Sequence, residues 1–304
     1  MSKNQVGTAP RKSVLKRVGL LLWVVPPLVF FAVFLAYPLG MIVYTSLRNK
    51  NIPLMIDNFA GLANYTRLFS SWSFYAAVLR TLAYTGVCVG ASLVGGLFLA
   101  VLNASIERHI SRVFSKVLHI IIILPLLVMP AAAAVMWAFA LTAQYGWVNY
   151  LLSFVGIRAQ PWLATYYAFY WVMLADIWSW TPYVYLILLA GIQGIPEEPL
   201  EAAKIDGASR WQSLFFVTLP LLKRVLLIAI VLKTIDTLKA FDYLWIMTRG
   251  GPGEASTTLN VHLFKTAFRM WDTGGGAAIG VSILWLVLGI VLILFKVSRL
   301  RKVD

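Results

Sequence analysis

The sequence predicts an all-α membrane protein with about six transmembrane helices, and three observations carry that reading. First, 60% of the 304 residues are hydrophobic and only 12% are charged, where a soluble domain carries roughly 25% charged residues. Mean hydropathy is +0.80. Second, the apolar residues fall in runs long enough to cross ~30 Å of hydrocarbon, which takes about 20 helical residues. Third, the basic residues sit between those runs and not along one face, so the net charge of +14 is not the footprint of a nucleic-acid binder.

The elements follow in order. Residues 1–17 form a short basic segment with Lys3, Arg11, Lys12, Lys16 and Arg17. The first apolar run is Val18 to Leu47. It is longer than the ~7–15-residue core of a signal peptide, so an uncleaved spanning helix is expected. Pro26, Pro27 and Pro38 are expected to bend it, which membrane helices tolerate. Further runs extend from Ala76 to Ile106, Val113 to Leu141, Thr165 to Ile192, Leu214 to Trp245 and Ala277 to Val297. Trp147–Val155 is too short to span and reads as an interfacial helix. In the second run Gly86 and Gly90 are four apart and precede Ala91, Gly95 and Gly96, a spacing that lets helices approach closely.

Six spans place both termini on one side. That side collects sixteen Lys and Arg, including Arg108, Arg112, Lys116, Lys204, Arg210, Lys223 and Arg224, against seven on the other. The excess assigns it to the cytoplasm. Arg80 lies at a boundary, and Lys233 and Lys239 lie within the fifth run. Cys88 is the one cysteine, which excludes an internal disulfide. His109, His119 and His262 are far apart, so no metal site is expected.

The connection between the fourth and fifth runs, residues 194–220, carries the most structured signal. Pro196 with Glu197 and Glu198 suits a helix start. Leu200, Ala203 and the stem of Lys204 fall on one face. Gly207 permits a turn that other residues resist, and a second helical stretch runs from Ala208 to Leu219-Pro220. A loop of this length with no role is uncommon. The order Glu201-Ala202-Ala203, Asp206-Gly207-Ala208, Leu219-Pro220 resembles the EAA loop of ATP-binding cassette (ABC) importer permeases. The resemblance covers roughly residues 60–290 and is greatest to the maltose-type, carbohydrate-uptake subfamily. It is carried by Asn64-Tyr65, Leu124-Pro125, Trp137, Gly146, Asn149, Leu152, Trp178, Pro182, Ala190-Gly191, Gln193, Ile195-Pro196, Phe241-Asp242, Thr248, Gly250-Gly251-Pro252 and Gly276-Ala277-Ala278. Arg80 departs from it, where the family often has an amide.

The resemblance implies a type I importer permease fold, with residues 18–299 as the permease domain, 194–220 as a cytoplasmic coupling loop and 300–304 as a cytoplasmic tail. It implies a multi-pass protein of the bacterial inner membrane. No Gly-x-x-x-x-Gly-Lys-Ser/Thr sequence occurs, so the chain has no phosphate cradle of that kind. No catalytic residue and no bound cofactor are expected on it. ATP and Mg would sit on two partner ATPase subunits. Glu201, Ala202, Ala203, Asp206, Gly207 and Ala208 would dock into them, and their closure would rotate the spans as rigid bodies. A second, related permease, forming a heterodimer, and a periplasmic or lipid-anchored solute-binding protein complete the implied assembly. Its cargo would be a sugar, oligosaccharide or polyol, with glycerol phosphate as an alternative.

Charges inside a membrane are expensive and face a cavity or one another. Lys233 and Asp236, three apart, share a helix face. They read either as an ion pair within the bundle or as a polar wall of a path. By the resemblance the path is lined by Tyr183, Lys233, Asp236, Thr237 and Ala240. Trp178, Trp180, Tyr183 and Tyr185 cluster with Asp176 in the fourth run. They would stack on a sugar while Asp176 binds hydroxyls, or serve as interfacial anchors. Gly250, Gly251 and Pro252 would contact a solute-binding protein or form a plain turn. A secondary transporter or channel would call for internal repeats, and a membrane-embedded enzyme for a nucleophile–base or metal constellation. Neither is visible.

Overall fold

The computed structural model describes residues 23–300. The basic segment 1–17, the start of the first run and residues 301–304 lie outside the described residues. The helices are α1 (Trp23–Ser46), α2 (Ala63–Phe69), α3 (Trp72–His109), α4 (Arg112–Ile123), α5 (Pro130–Ala140), α6 (Trp147–Ser153), α7 (Ala168–Gln193), α8 (Glu197–Ile205), α9 (Arg210–Leu238), α10 (Asp242–Thr248), α11 (Leu259–Phe264) and α12 (Thr273–Leu300). Five of these, α1, α3, α7, α9 and α12, are long and apolar enough to cross a membrane.

The third predicted span is corrected. It is not one straight helix over Val113–Leu141. Helix α4 runs on through a 3-10 turn at Leu124–Leu127, and the chain then bends by 93° into α5. Pro130 explains the break. A residue before proline is pushed out of the helical region, and Val128 and Met129 are extended, with ψ of 125° and 138°. The fifth span is also corrected, because α9 stops at Leu238 and Trp245 belongs to the separate α10. The carbonyls left free there are taken by Asn260 Nδ2, at 2.8 Å from Leu238 O and 3.4 Å from Ala240 O. Lys239 therefore caps the helix and does not lie inside it.

Two wide π turns accommodate prolines. Pro38 and Pro220 each follow a five-residue π segment, Ala32–Ala36 and Leu214–Thr218. Proline has no N–H and its ring clashes with the carbonyl four residues back. That residue is Phe34 in one case and Phe216 in the other, each in the middle of the widened turn.

Helices α3 and α7 pack along their length, and α9 lies against both. Their close contact comes from Gly96, where a Cβ would stand 2.9 Å from Val184 Cγ1 and 3.0 Å from Tyr185 N, and from Gly95 against Thr181. Gly86 and Gly90 have open space instead, so within this chain the predicted close approach belongs to the Gly95-Gly96 pair. Helix α12 packs on α1 and α11. A short antiparallel hairpin absent from the hydropathy reading, β1 (Arg48–Asn51) with β2 (Ile56–Phe59), follows α1. It is stitched to the start of α12 through Thr273 Oγ1, which donates to Lys50 O at 2.8 Å. Beside it Arg67 reaches Asp272 at 2.6 Å.

Candidate functional site

The polar centre of the bundle lies between α7 and α9. Lys233 is 0% exposed and Asp176 is 1% exposed. Lys233 Nζ donates to Asp176 Oδ1 at 2.7 Å and lies 5.3 Å from the centre of the Trp180 ring. Asp236 Oδ2 is 4.0 Å away, and its side chain is 32% exposed. The expected Lys233–Asp236 pair is present at 4.0 Å, and a shorter partner is added to it: Asp176, on the neighbouring helix, at 2.7 Å. The physical reason is burial. Both groups are out of water, and an unpaired buried charge costs far more than one that keeps access to solvent.

Around this pair the aromatic cluster divides. Asp176 is buried and accepts from Lys233 through Oδ1. Trp178 lies against Trp137, ring centres 5.8 Å apart, and Trp180 packs edge-on against Tyr183 at 6.0 Å. Tyr185 points elsewhere. Its hydroxyl accepts from Asn103 Nδ2 and lies 2.7 Å from His119 Nδ1, while Ser115 Oγ donates to Asn103 Oδ1 at 2.5 Å. That second buried network joins α3, α4 and α7. Thr237 Oγ1 is spent on the backbone, at 2.8 Å from Lys233 O. Ala240 lies beyond the end of α9. Of the predicted path residues, Tyr183, Asp236 and Ala240 keep partial exposure.

The connection of residues 194–220 forms a second site. Pro196 caps α8, Glu197 and Glu198 lie in its first turn and Lys204 in its last, each complementing the helix dipole. Leu200 packs under the helix against the cluster containing Leu188, Ile192 and Ile195, and Ala203 is buried. Glu201, Ala202 and Asp206 face outward. Gly207, at φ +76°, ends the helix. Its N–H reaches Lys204 O at 3.1 Å and Ala208 N–H reaches Ala203 O at 2.9 Å, the paired bonds of a Schellman motif. Ser209 and Gln212 then form a reciprocal capping box that starts α9. Two residues that sequence reasoning missed complete this face: Ile205 is 86% and Trp211 70% exposed. Large apolar side chains on an otherwise polar loop were the signal available.

The Gly250-Gly251-Pro252 loop folds onto itself. Gly250 is buried, Thr248 Oγ1 lies 2.6 Å from Ser256 Oγ, and Ser256 Oγ donates to Gly251 O at 2.9 Å. Gly253 and Glu254 are its exposed residues. Among the described residues, no three His, Cys, Asp or Glu side chains converge as metal ligands do.

These features have counterparts in known proteins. The family described as binding-protein-dependent transport system inner membrane component matches residues 92–302. The trehalose/maltose transport system permease protein MalF of Thermococcus litoralis is 36% identical over 283 residues, covering 92% of this chain and 94% of that protein. The sn-glycerol-3-phosphate transport system permease protein UgpA of Yersinia enterocolitica is 32% identical over 286 residues, covering 93% and 94%. A chain of a bacterial alginate ABC transporter, solved in complex with an alginate pentasaccharide-bound periplasmic protein, shares the fold. Its TM-score is 0.82 at 22% identity, over 96% of this chain and 98% of that one. The chain belongs to the family of binding-protein-dependent transport system inner membrane components, the permease subunits of ABC importers.

Proposed function

We propose that this chain forms half of the translocation path for a sugar, oligosaccharide or polyol and is driven by ATPase subunits through α8. The observation that carries the coupling role is the geometry of residues 194–208. The underside of α8 is anchored in the bundle core by Leu200 and Ala203. Its outer face, Glu201 and Ala202 with Ile205, is free, and the left-handed Gly207 fixes where it points. A helix held rigidly on one side and open on the other suits docking into a partner. The chain has no phosphate-binding loop of its own, so ATP and Mg belong to that partner.

In this reading two ATP-binding subunits sit on the cytoplasmic side and both termini face them. A second, related permease completes a heterodimer, and a periplasmic or lipid-anchored solute-binding protein delivers cargo beside Gly253 and Glu254. The path wall comes from α7 and α9, with Tyr183, Asp236 and Ala240 as its accessible members. The trehalose/maltose name of the relative from Thermococcus litoralis supports a carbohydrate. The sn-glycerol-3-phosphate name of the Yersinia relative supports glycerol phosphate as the second reading.

The test is purification of the tagged chain with its partners and reconstitution in sealed vesicles. Gly207→Val, which forces a side chain into the left-handed region at about 1–2 kcal/mol, is expected to leave assembly intact and to separate ATP hydrolysis from uptake. Recovery of the chain alone, active in vesicles without ATP, would overturn the proposal in favour of a secondary transporter.

A further inference from the structure

Arg80 is a guanidinium without a counter-charge. Its Nη1 is shut off from solvent and has no hydrogen-bond acceptor, and no carboxylate among the described residues pairs with it. A buried donor of that kind calls for a partner, and a cation at membrane depth calls for one more strongly. The surroundings add donors. Thr81 Oγ1 accepts from Leu259 N–H at 2.9 Å, which fixes this turn of α3 against the start of α11. The Thr258 hydroxyl, next to that bond, is buried and unpartnered. Lys265, the first residue of the π segment that extends α11, donates to Thr257 Oγ1 at 3.0 Å. A Cβ on Gly250 would come within 2.8 Å of its Nζ, so the ammonium is packed against the loop. No carboxylate lies within ion-pair distance of Lys265 among the described residues. Its ammonium is held below the usual lysine range by burial, opposed by Glu254 and reinforced by the charge of Arg80. Two cations and an unpartnered hydroxyl thus share one corner, with no carboxylate in ion-pair contact among the described residues.

The depth of this corner narrows the ligand. Helix α3 has 38 residues, a length of about 57 Å at 1.5 Å per residue. If the helix is centred on ~30 Å of hydrocarbon, each end projects by about 13 Å. Arg80 lies about 12 Å along the helix from Trp72, at the level where the hydrocarbon meets the headgroups on the hairpin side. We propose that Arg80 and Lys265, with Thr258, form a phosphate-oxyanion site. It is filled by the headgroup phosphate of a membrane phospholipid or by a free phosphate group. Several N–H and O–H donors around two positive charges match an oxyanion with several acceptor lobes. The inference is independent of what the importer carries.

The test uses the assembled importer in nanodiscs of phosphatidylcholine, with phosphatidylglycerol or inorganic phosphate added in separate arms. Retained lipid is counted by native mass spectrometry, and the thermal unfolding midpoint is followed in both arms. Retention of phosphatidylglycerol by the wild type, weakened about tenfold by Arg80→Gln and by Lys265→Gln and kept by Arg80→Lys, assigns a lipid. A midpoint raised by inorganic phosphate in plain phosphatidylcholine, and not in Arg80→Gln, assigns a free phosphate. If Arg80→Gln fails to assemble, Lys265→Gln and Arg80→Lys carry the same comparison. Indifference of the wild type to both ligands overturns the proposal. So does a structure of the complex in which a partner subunit's carboxylate occupies Arg80.

Discussion

Asp176→Leu would leave the Lys233 ammonium fully buried, its 2.7 Å partner gone. The remaining acid, Asp236, is 4.0 Å away on the same helix and is one-third exposed. It answers only part of the lost field, because water screens it. Removing one member of a buried pair costs about 3–5 kcal/mol. With Asp236 partly compensating, we expect about 3 kcal/mol. Asp236→Asn removes the longer, screened contact and is expected to cost under ~1 kcal/mol. The double substitution Asp176→Leu with Lys233→Met removes both charges and is expected to recover most of the loss, since a buried pair replaced by apolar side chains of similar size is often neutral. Reversible unfolding of the purified chain in mixed micelles, with the single Lys233→Met included, gives all four corners of the Asp176–Lys233 cycle and the Asp236→Asn comparison beside it. The reasoning is refuted if Asp236→Asn is as costly as Asp176→Leu, or if the double variant is as unstable as the sum of its singles.

Two further substitutions probe the scaffold. Gly96→Ala puts a methyl against Val184 and the Tyr185 backbone and is expected to destabilise by about 1–3 kcal/mol as overpacking. Gly86→Ala, with nothing within 4 Å, should be neutral in the isolated chain, and the same unfolding measurement compares them. Asn149 gathers four bonds on the segment after α5: to Thr142 O and Gln160 O from its amide, and from Gln160 N–H and Trp162 Nε1 to its carbonyl. Asn149→Ala is expected to loosen residues 141–167, read as faster limited proteolysis there, with unchanged cleavage in the loop of residues 194–208 as the control.

Much of this protein was legible in one dimension because the bilayer imposes one-dimensional rules. Hydrocarbon thickness sets the length of an apolar run, so the second, fourth and sixth runs lie within a few residues of the bounds of α3, α7 and α12. Helix ends obey local chemistry, which is why Pro196, the Glu197-Glu198 pair and Gly207 could be assigned to the start and finish of α8. The choice of partner for a buried charge is not local. Sequence spacing offers Lys233 its i+3 neighbour, Asp236. The structure gives it Asp176, 57 positions away, because α3, α7 and α9 pack so closely that both groups lose water together. The same holds for the division of the aromatic cluster, where Tyr185 turns toward Asn103 and His119 while Trp180 turns toward Tyr183. The sequence by itself determined a six-run membrane chain of this family with an ordered loop between its fourth and fifth runs. Only the tertiary structure decided which charges neutralise each other and which stay unanswered at Arg80, since desolvation depends on which helices close around a side chain.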